Sequence, residues 1–133
     1  MINDSHEVSR TGVAANYEQD RVYLACGATD LRKSIDALAA LVQIGFDLDP
    51  FVGAWFVFCN KDRDKVKILR WDYGGWWLYY RRLDCGRFTW PKSPIGSRYA
   101  ALMVTRQHLA RMLNSCALEQ KRVHCAECRR TAI

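Results

Sequence analysis

Apolar residues recur at helical spacing near both ends of the chain and alternate with polar ones between. Arg21 to Cys26 (RVYLAC) is an aromatic and β-branched run that reads as a strand, stopped by Gly27. Beyond it Leu31, Ile35, Leu38 and Leu41/Val42 repeat with a helical period, which predicts an amphipathic helix. Thr29-Asp30 offers that helix an N-cap and an acidic first turn, and Gly45 a stop. Asp36 and Gln43 join Arg32 and Lys33 on its polar face. After a turn ending at Pro50, three strands follow: Ala54–Cys59, Lys65–Asp72 and Trp76–Leu83. Charged residues 60–64 (NKDRD) join the first two, and Tyr73-Gly74-Gly75 joins the next two. The Gly74-Gly75 pair is expected to supply the positive φ of a tight hairpin turn. Residues 84–97 read as an ordered loop with a short strand at Arg87–Trp90, and Tyr99–Val104 as a weaker strand. Thr105 then caps a second helix with apolar positions at Leu109, Met112, Leu113 and Cys116.

The pattern predicts an α+β fold in a single domain over residues 21–116. It is an antiparallel β-meander with one helix after the first strand and one C-terminal helix. Residues 1–20 are polar and aperiodic and read as a flexible leader, while residues 117–133 lose the pattern and read as a divergent, flexible tail.

Period-two alternation sorts the third predicted hairpin strand into two rows. Trp76, Leu78, Tyr80 and Arg82 share one face, and Trp77, Tyr79, Arg81 and Leu83 the other. Aromatics therefore stand on both sides, which a sheet with one wet face does not need. Either both faces are covered, or one row is open to a ligand. On the preceding strand Lys65 and Lys67 lie with Leu69 and Trp71, opposite to Val66, Ile68 and Arg70. Those lysines suit phosphate ligands and also suit an edge protected against aggregation.

Charge sharpens this picture. Ten Lys or Arg stand against four Asp between Lys61 and Arg98, a surplus equal to the whole chain's +6. Twelve of the sixteen aromatics fall between Phe51 and Trp90, so basic charge and rings share one segment. A concentrated positive field attracts nucleic acid first and an acidic protein surface second. Bases stack on aromatic rings while adjacent cations hold the phosphates.

Other chemistry is thinly supplied. Asp30, Asp47, Asp49 and Asp84 suit helix starts, turns and strand ends, and no glutamate occurs between Glu18 and Glu119, so no acid set for phosphoryl transfer is expected. His6, His108 and His124 are isolated, and neither a nucleophile setting nor a Gly-rich phosphate loop is present. The chain reads as non-catalytic and without a cofactor. Cys26, Cys59, Cys85 and Cys116 are scattered singly and are expected to be reduced. Cys125-x-x-Cys128, with His124 and Cys116, has knuckle-like spacing but lacks a well-placed second ligand pair, so no metal is assigned. No apolar run nears the roughly 18 residues of a membrane span, and MINDSHEVSR lacks the apolar centre of an export signal. A cytoplasmic location is expected.

Several segments taken together resemble a known family. Thr29-Asp30-Leu31-Arg32-Lys33, Asp49-Pro50-Phe51, Phe56-Val57-Phe58, Trp71-Asp72 and Gly86-Arg87-Phe88-Thr89-Trp90-Pro91 follow, in order, the pattern of a small accessory protein. That protein is TnpB, the product of the second open reading frame of insertion sequence 66-type bacterial transposable elements. Cys85 stands where the family usually has a basic residue, the hairpin is more aromatic, and the Cys-rich tail differs from the usual ending. The resemblance implies a helper in transposition, encoded beside a separate transposase that cuts and joins DNA, and it brings no catalytic residues with it.

The expected function is accordingly a non-catalytic accessory protein that binds DNA through the basic aromatic meander. Arg32, Lys33, Lys65, Lys67, Arg70, Arg81, Arg82 and Arg87 are the candidate phosphate ligands. Trp76 and Tyr80, or alternatively Trp77 and Tyr79, are the candidate stacking rings. The alternative is a protein-interaction adaptor that docks the transposase of the same element, or self-associates, without contacting DNA. Trp, Tyr and Arg are also the residues of binding hot spots, so the same composition serves both.

Overall fold

The computed structural model describes residues 21–114. The expected leader, the whole of the expected tail, with His124, Cys125 and Cys128 in it, and Cys116 lie outside the described residues. Five strands form one sheet: β1 (Val22–Ala25), β2 (Trp55–Cys59), β3 (Lys65–Asp72), β4 (Gly75–Arg82) and β5 (Ala101–Val104). Helix α1 (Ile35–Ala40), continued by a π-turn (Leu41–Gly45), links β1 to β2, and α2 occupies residues 106–114. The sheet order is β4-β3-β2-β1-β5.

Alternation along the central strands produces two cores. Phe56, Phe58 and Leu69 point to one side and are covered by Leu31, Leu38 and Val42 from α1 and its approach. Val22, Leu24, Val57, Cys59 and Val66 point to the other, where Phe88, Trp90 and Leu109 cover them. The centre of the sheet is thus buried on both faces, while the aromatic rows of β4 stay largely open at its edge.

The β2–β3–β4 meander is antiparallel throughout. β1 departs from the expected antiparallel pattern because it runs parallel to β2, in register Val22↔Trp55 to Leu24↔Val57. Parallel neighbours need a crossover, and α1 supplies it. β5 returns antiparallel on the other side of β1. The sheet is therefore mostly antiparallel, within an α+β domain.

Helix α1 starts later than its apolar spacing suggests, with Ser34 rather than Thr29 at the N-cap position. Thr29 N–H donates instead to the Cys59 carbonyl at the end of β2 (2.8 Å). The Asp30 carboxylate accepts from Arg32 N–H (3.0 Å), which holds residues 30–32 in a side-chain-closed turn.

Residues 87–90 form no strand. Phe88 and Trp90 are buried while Arg87 and Thr89 are exposed, so the alternation is real, but the segment straps the sheet rather than joining it. Trp90 Nε1–H donates to the Ala25 carbonyl (2.8 Å), Gly27 N–H to the Pro91 carbonyl (2.8 Å), and Ser93 Oγ–H to the Cys26 carbonyl (3.1 Å). Gly27 has φ +76°, and a Cβ there would run into Ser93 Oγ. Gly27→Ala is therefore expected to cost about 1–3 kcal/mol, through left-handed backbone strain and displacement of the Ser93 bond. Chemical denaturation measures it, and an unchanged midpoint refutes the close approach.

Cys26 and Cys59 are free thiols, as expected. Cys85 is not: it is disulfide-bonded. It sits half-buried in the loop after β4, whereas Cys59 is fully buried in β2. Burial pushes the Cys59 thiol up to about 12 from an ordinary 9.0. The proton is thus bound more tightly in the folded state, so this group's contribution to stability is intact below about pH 9 and is lost as pH rises towards 12. Iodoacetamide at neutral pH is expected to alkylate Cys59 only after unfolding, read by peptide mass spectrometry.

Candidate nucleic-acid interface

The β3–β4 hairpin carries most of the candidate residues, and its turn sets their register. Tyr73 (φ 48°) and Gly74 (φ 77°) hold the two central positions, with Asp72 opposite Gly75. The two left-handed residues are thus Tyr73 and Gly74, not Gly74 and Gly75, which fits a two-residue type I′ turn matching the strand twist. Lys65 then pairs with Arg82, Lys67 with Tyr80, Ile68 with Tyr79, and Arg70 with Trp77.

On the α1 side this register assembles an open groove of 750 Å³ where the ends of β1, β2 and β3 meet. Arg32, Lys61, Lys65 and Lys67 line it together with the ring of Tyr80, against two carboxylates, Asp30 and Asp62. Each cation has a local reason for its place. Asn60 closes the β2–β3 turn: its Oδ1 accepts from the N–H groups of Asp64 and Lys65 (both 3.0 Å), and its Nδ2–H donates to Asp64 (2.7 Å). That turn presents Lys61 and Lys65 to the groove. Lys67 Nζ donates to the Lys33 carbonyl (3.3 Å) and lies 5.9 Å from the Tyr80 ring centre, which fixes its stem between α1's approach and β4. Arg82 flanks Lys65 across the hairpin and reaches Asp84 (3.5 Å).

Of the four groove-lining cations, Arg32 and Lys65 have carboxylate partners. Arg32 forks onto Asp30 through Nε (3.0 Å) and Nη2 (2.8 Å). These hydrogen bonds hold the Asp30 carboxyl well below the usual carboxylate range. Asp64 is likewise lowered, first by Asn60 and then by Lys65 at 3.3 Å. The Arg32–Asp30 pair is solvent-exposed and the Lys65–Asp64 pair partly so, so they contribute little to stability and leave the cations able to exchange partners.

The opposite face is different in kind. Trp55, Tyr79 and Trp77 form a row of near-parallel rings, with centroids 5.7 Å and 6.1 Å apart along it. The Arg70 and Arg106 guanidinium groups lie 4.7 and 4.9 Å from the Trp55 ring centre. Trp77 Nε1–H donates to Asp72 (3.4 Å), and Arg81 continues the row along β4.

The predicted residues therefore divide between two surfaces. Arg32, Lys33, Lys65, Lys67, Tyr80 and Arg82 lie together on the α1 side, while Arg70, Trp77, Tyr79 and Arg81 lie on the other. Of the stacking pair Trp76/Tyr80, Trp76 is half-buried against Trp71 and Phe51, at 4.9 and 5.2 Å, and Tyr80 is exposed. Arg87 is exposed on the strap beyond β4, apart from either set. Sequence reasoning missed Lys61, Trp55 and Arg106. Lys61 looked like a solvated turn charge, Trp55 alternates with core residues Val57 and Cys59, and Arg106 opens a helix with no feature of its own. Among the described residues no group of three or more His, Cys, Asp or Glu is placed to hold a metal ion, and no helix is long and apolar enough to cross a membrane.

A family model described as IS66 Orf2 like protein matches residues 20–123. Two uncharacterized proteins of Sinorhizobium fredii are similar to the chain. One, y4hO, is 39% identical over 77 residues, covering 58% of this chain and 67% of the relative. The other, y4jC, is 34% identical over 71 residues, covering 53% of this chain and 61% of the relative. No solved structure gives a significant match.

Proposed function

The chain belongs to the IS66 Orf2-like family of transposition accessory proteins, and from that premise we propose that it binds DNA along the α1-side groove without itself cutting or joining strands. The observation that carries this reading is the convergence of Arg32, Lys61, Lys65 and Lys67 beside an open Tyr80 ring. Lysine ammonium groups on flexible stems suit a line of phosphates, and an adjacent exposed ring offers a stacking face to an unpaired base. The two engaged carboxylates, Asp30 and Asp64, set the spacing of the cations. Phosphates displace them by exchange of partners.

Fluorescence-anisotropy titration of a labelled duplex across a salt series tests the reading. Log K is expected to fall linearly with log[salt], with a slope near −0.9 for each phosphate neutralised. Failure to bind at low salt overturns it. The adaptor reading draws on the Trp55–Tyr79–Trp77 row. It predicts that the transposase of the same element is retained on the immobilised chain after nuclease treatment, with no binding of the duplex alone.

A further inference from the structure

The two edges of the sheet are unequal. β5 is four residues long, short enough to be a poor template for another strand, whereas β4 runs for eight residues. β4 (GWWLYYRR) contains no Pro, Lys, Asp or Glu, and its pairing with β3 continues without a bulge from Asp72↔Gly75 to Lys65↔Arg82. None of the usual devices that blunt an edge is therefore present along most of its length. No described element pairs with its outer side.

The hydrogen-bonding phase of that edge follows from the hairpin. Gly75 closes the turn opposite Asp72, and Leu83 N–H donates to the Asp64 carbonyl (2.8 Å). Odd-numbered residues of β4 thus spend their N–H and C=O groups on β3, and those of Trp76, Leu78, Tyr80 and Arg82 point outward. Both rows of side chains remain open to solvent along this edge: Trp77 is 53%, Tyr79 40% and Tyr80 55% exposed.

We propose that β4 pairs antiparallel with β4 of a second copy of this chain, about a two-fold axis normal to the sheet through Tyr79. The strand is complementary to itself in that arrangement. Its tryptophans stand at one end and its arginines at the other, so reversing the copy sets Trp77 opposite the partner's Arg81 and Trp76 opposite the partner's Arg82. Each guanidinium meets an indole, and no arginine faces an arginine. The outward-pointing pairs, Leu78 with the partner's Tyr80 and Trp76 with the partner's Arg82, exchange backbone hydrogen bonds. A register shifted by one residue is excluded, because it opposes outward amides to inward ones and swaps the faces. The two-fold axis also leaves both α1-side grooves on the same face of the joined sheet. The inference does not depend on DNA binding, since it rests on an edge that no described element covers and on the strand's complementarity to itself.

Light scattering on the full chain without DNA is the test. The expected mass is twice that of one chain, falling towards one on dilution. Tyr80→Pro removes an outward N–H that β3 does not use, so it is expected to give a monomer with unchanged circular dichroism. Tyr79→Cys places two thiols across the axis at a close, non-hydrogen-bonded position, and mild oxidation is expected to yield a covalent dimer that the wild type, with its own cysteines, does not form. A wild-type mass of one chain well above micromolar concentration overturns the proposal. So does a folded Tyr80→Pro chain that remains dimeric. Should Tyr80→Pro fail to fold, the oxidation result decides, and no covalent dimer from Tyr79→Cys overturns it.

Discussion

Alanine at Arg32, Lys61 and Lys65 together is expected to weaken duplex binding by about two orders of magnitude at about 0.1 M salt and to flatten the log K against log[salt] slope by about 2.7 units. The three side chains line one groove and enter it from different places: Arg32 from the turn before α1, Lys61 from the turn between β2 and β3, and Lys65 from the first position of β3. Each phosphate released removes about 0.9 from the slope, and three give the figure above. The loss in affinity is held nearer two orders than three, because Asp30 and Asp64 already compete for Arg32 and Lys65. Lys67 is left in place because its stem is bound to the Lys33 carbonyl and lies over Tyr80, so its removal would mix folding with binding. Arg111→Ala, an exposed charge on α2, serves as the control and should change affinity less than threefold. A triple variant that is folded and binds as the wild type does would move the DNA site off this groove.

Trp90→Ala is expected to destabilise the fold by about 3–5 kcal/mol, which is a large share of the stability of a domain of this size. Trp90 is buried among Val22, Leu24 and Val57 and donates to the Ala25 carbonyl from 65 residues away in sequence. Removing the indole leaves a cavity under β1 and an unpaired carbonyl at the strand end. Trp90→Phe separates the two contributions. It fills most of the space but cannot donate, so a loss of about 1–3 kcal/mol is expected from the orphaned Ala25 oxygen. Urea titration followed by circular dichroism measures both, and a Trp90→Ala loss below about 1 kcal/mol would show that the strap is not a structural member.

Much of the architecture is legible in local pattern. Alternation places β2, β3 and β4 to within a residue: the apolar faces of β2 and β3 are buried, and β4 follows β3 through the hairpin register. The helical spacing of Leu38 and Val42 likewise finds the covered face of α1. What local pattern cannot express is order. The parallel pairing of β1 with β2, and the return of β5 to β1, depend on contacts across thirty or more residues. Thr29 and Asp30 mislead for a related reason: both look like helix-start residues, and both are consumed by bonds to Cys59 and Arg32. The strap misleads in the opposite way, since Phe88 and Trp90 alternate like strand residues but face core without an adjacent strand. At the candidate site, alternation separates the two aromatic rows correctly. It could not show that both rows stay open, because that depends on β4 being the edge. The net-basic segment was legible as a whole, while its division between two faces required the hairpin register.

Because β1 lies between β2 and β5, the first strand of the sheet is completed by one of the last segments of the chain. The β2–β3–β4 meander needs only its own short turns, so it can form while β1 still waits for a neighbour. Residues 88–104 must be present before the strap and β5 can close over β1. Contacts of such long sequence separation form slowly, and pairing of the meander precedes them. During synthesis the edge of β2 that will receive β1, and the edge of β4, are therefore both unpaired at once. For that interval the growing chain presents two sticky borders, and its risk of aggregation is set by translation speed as much as by final stability.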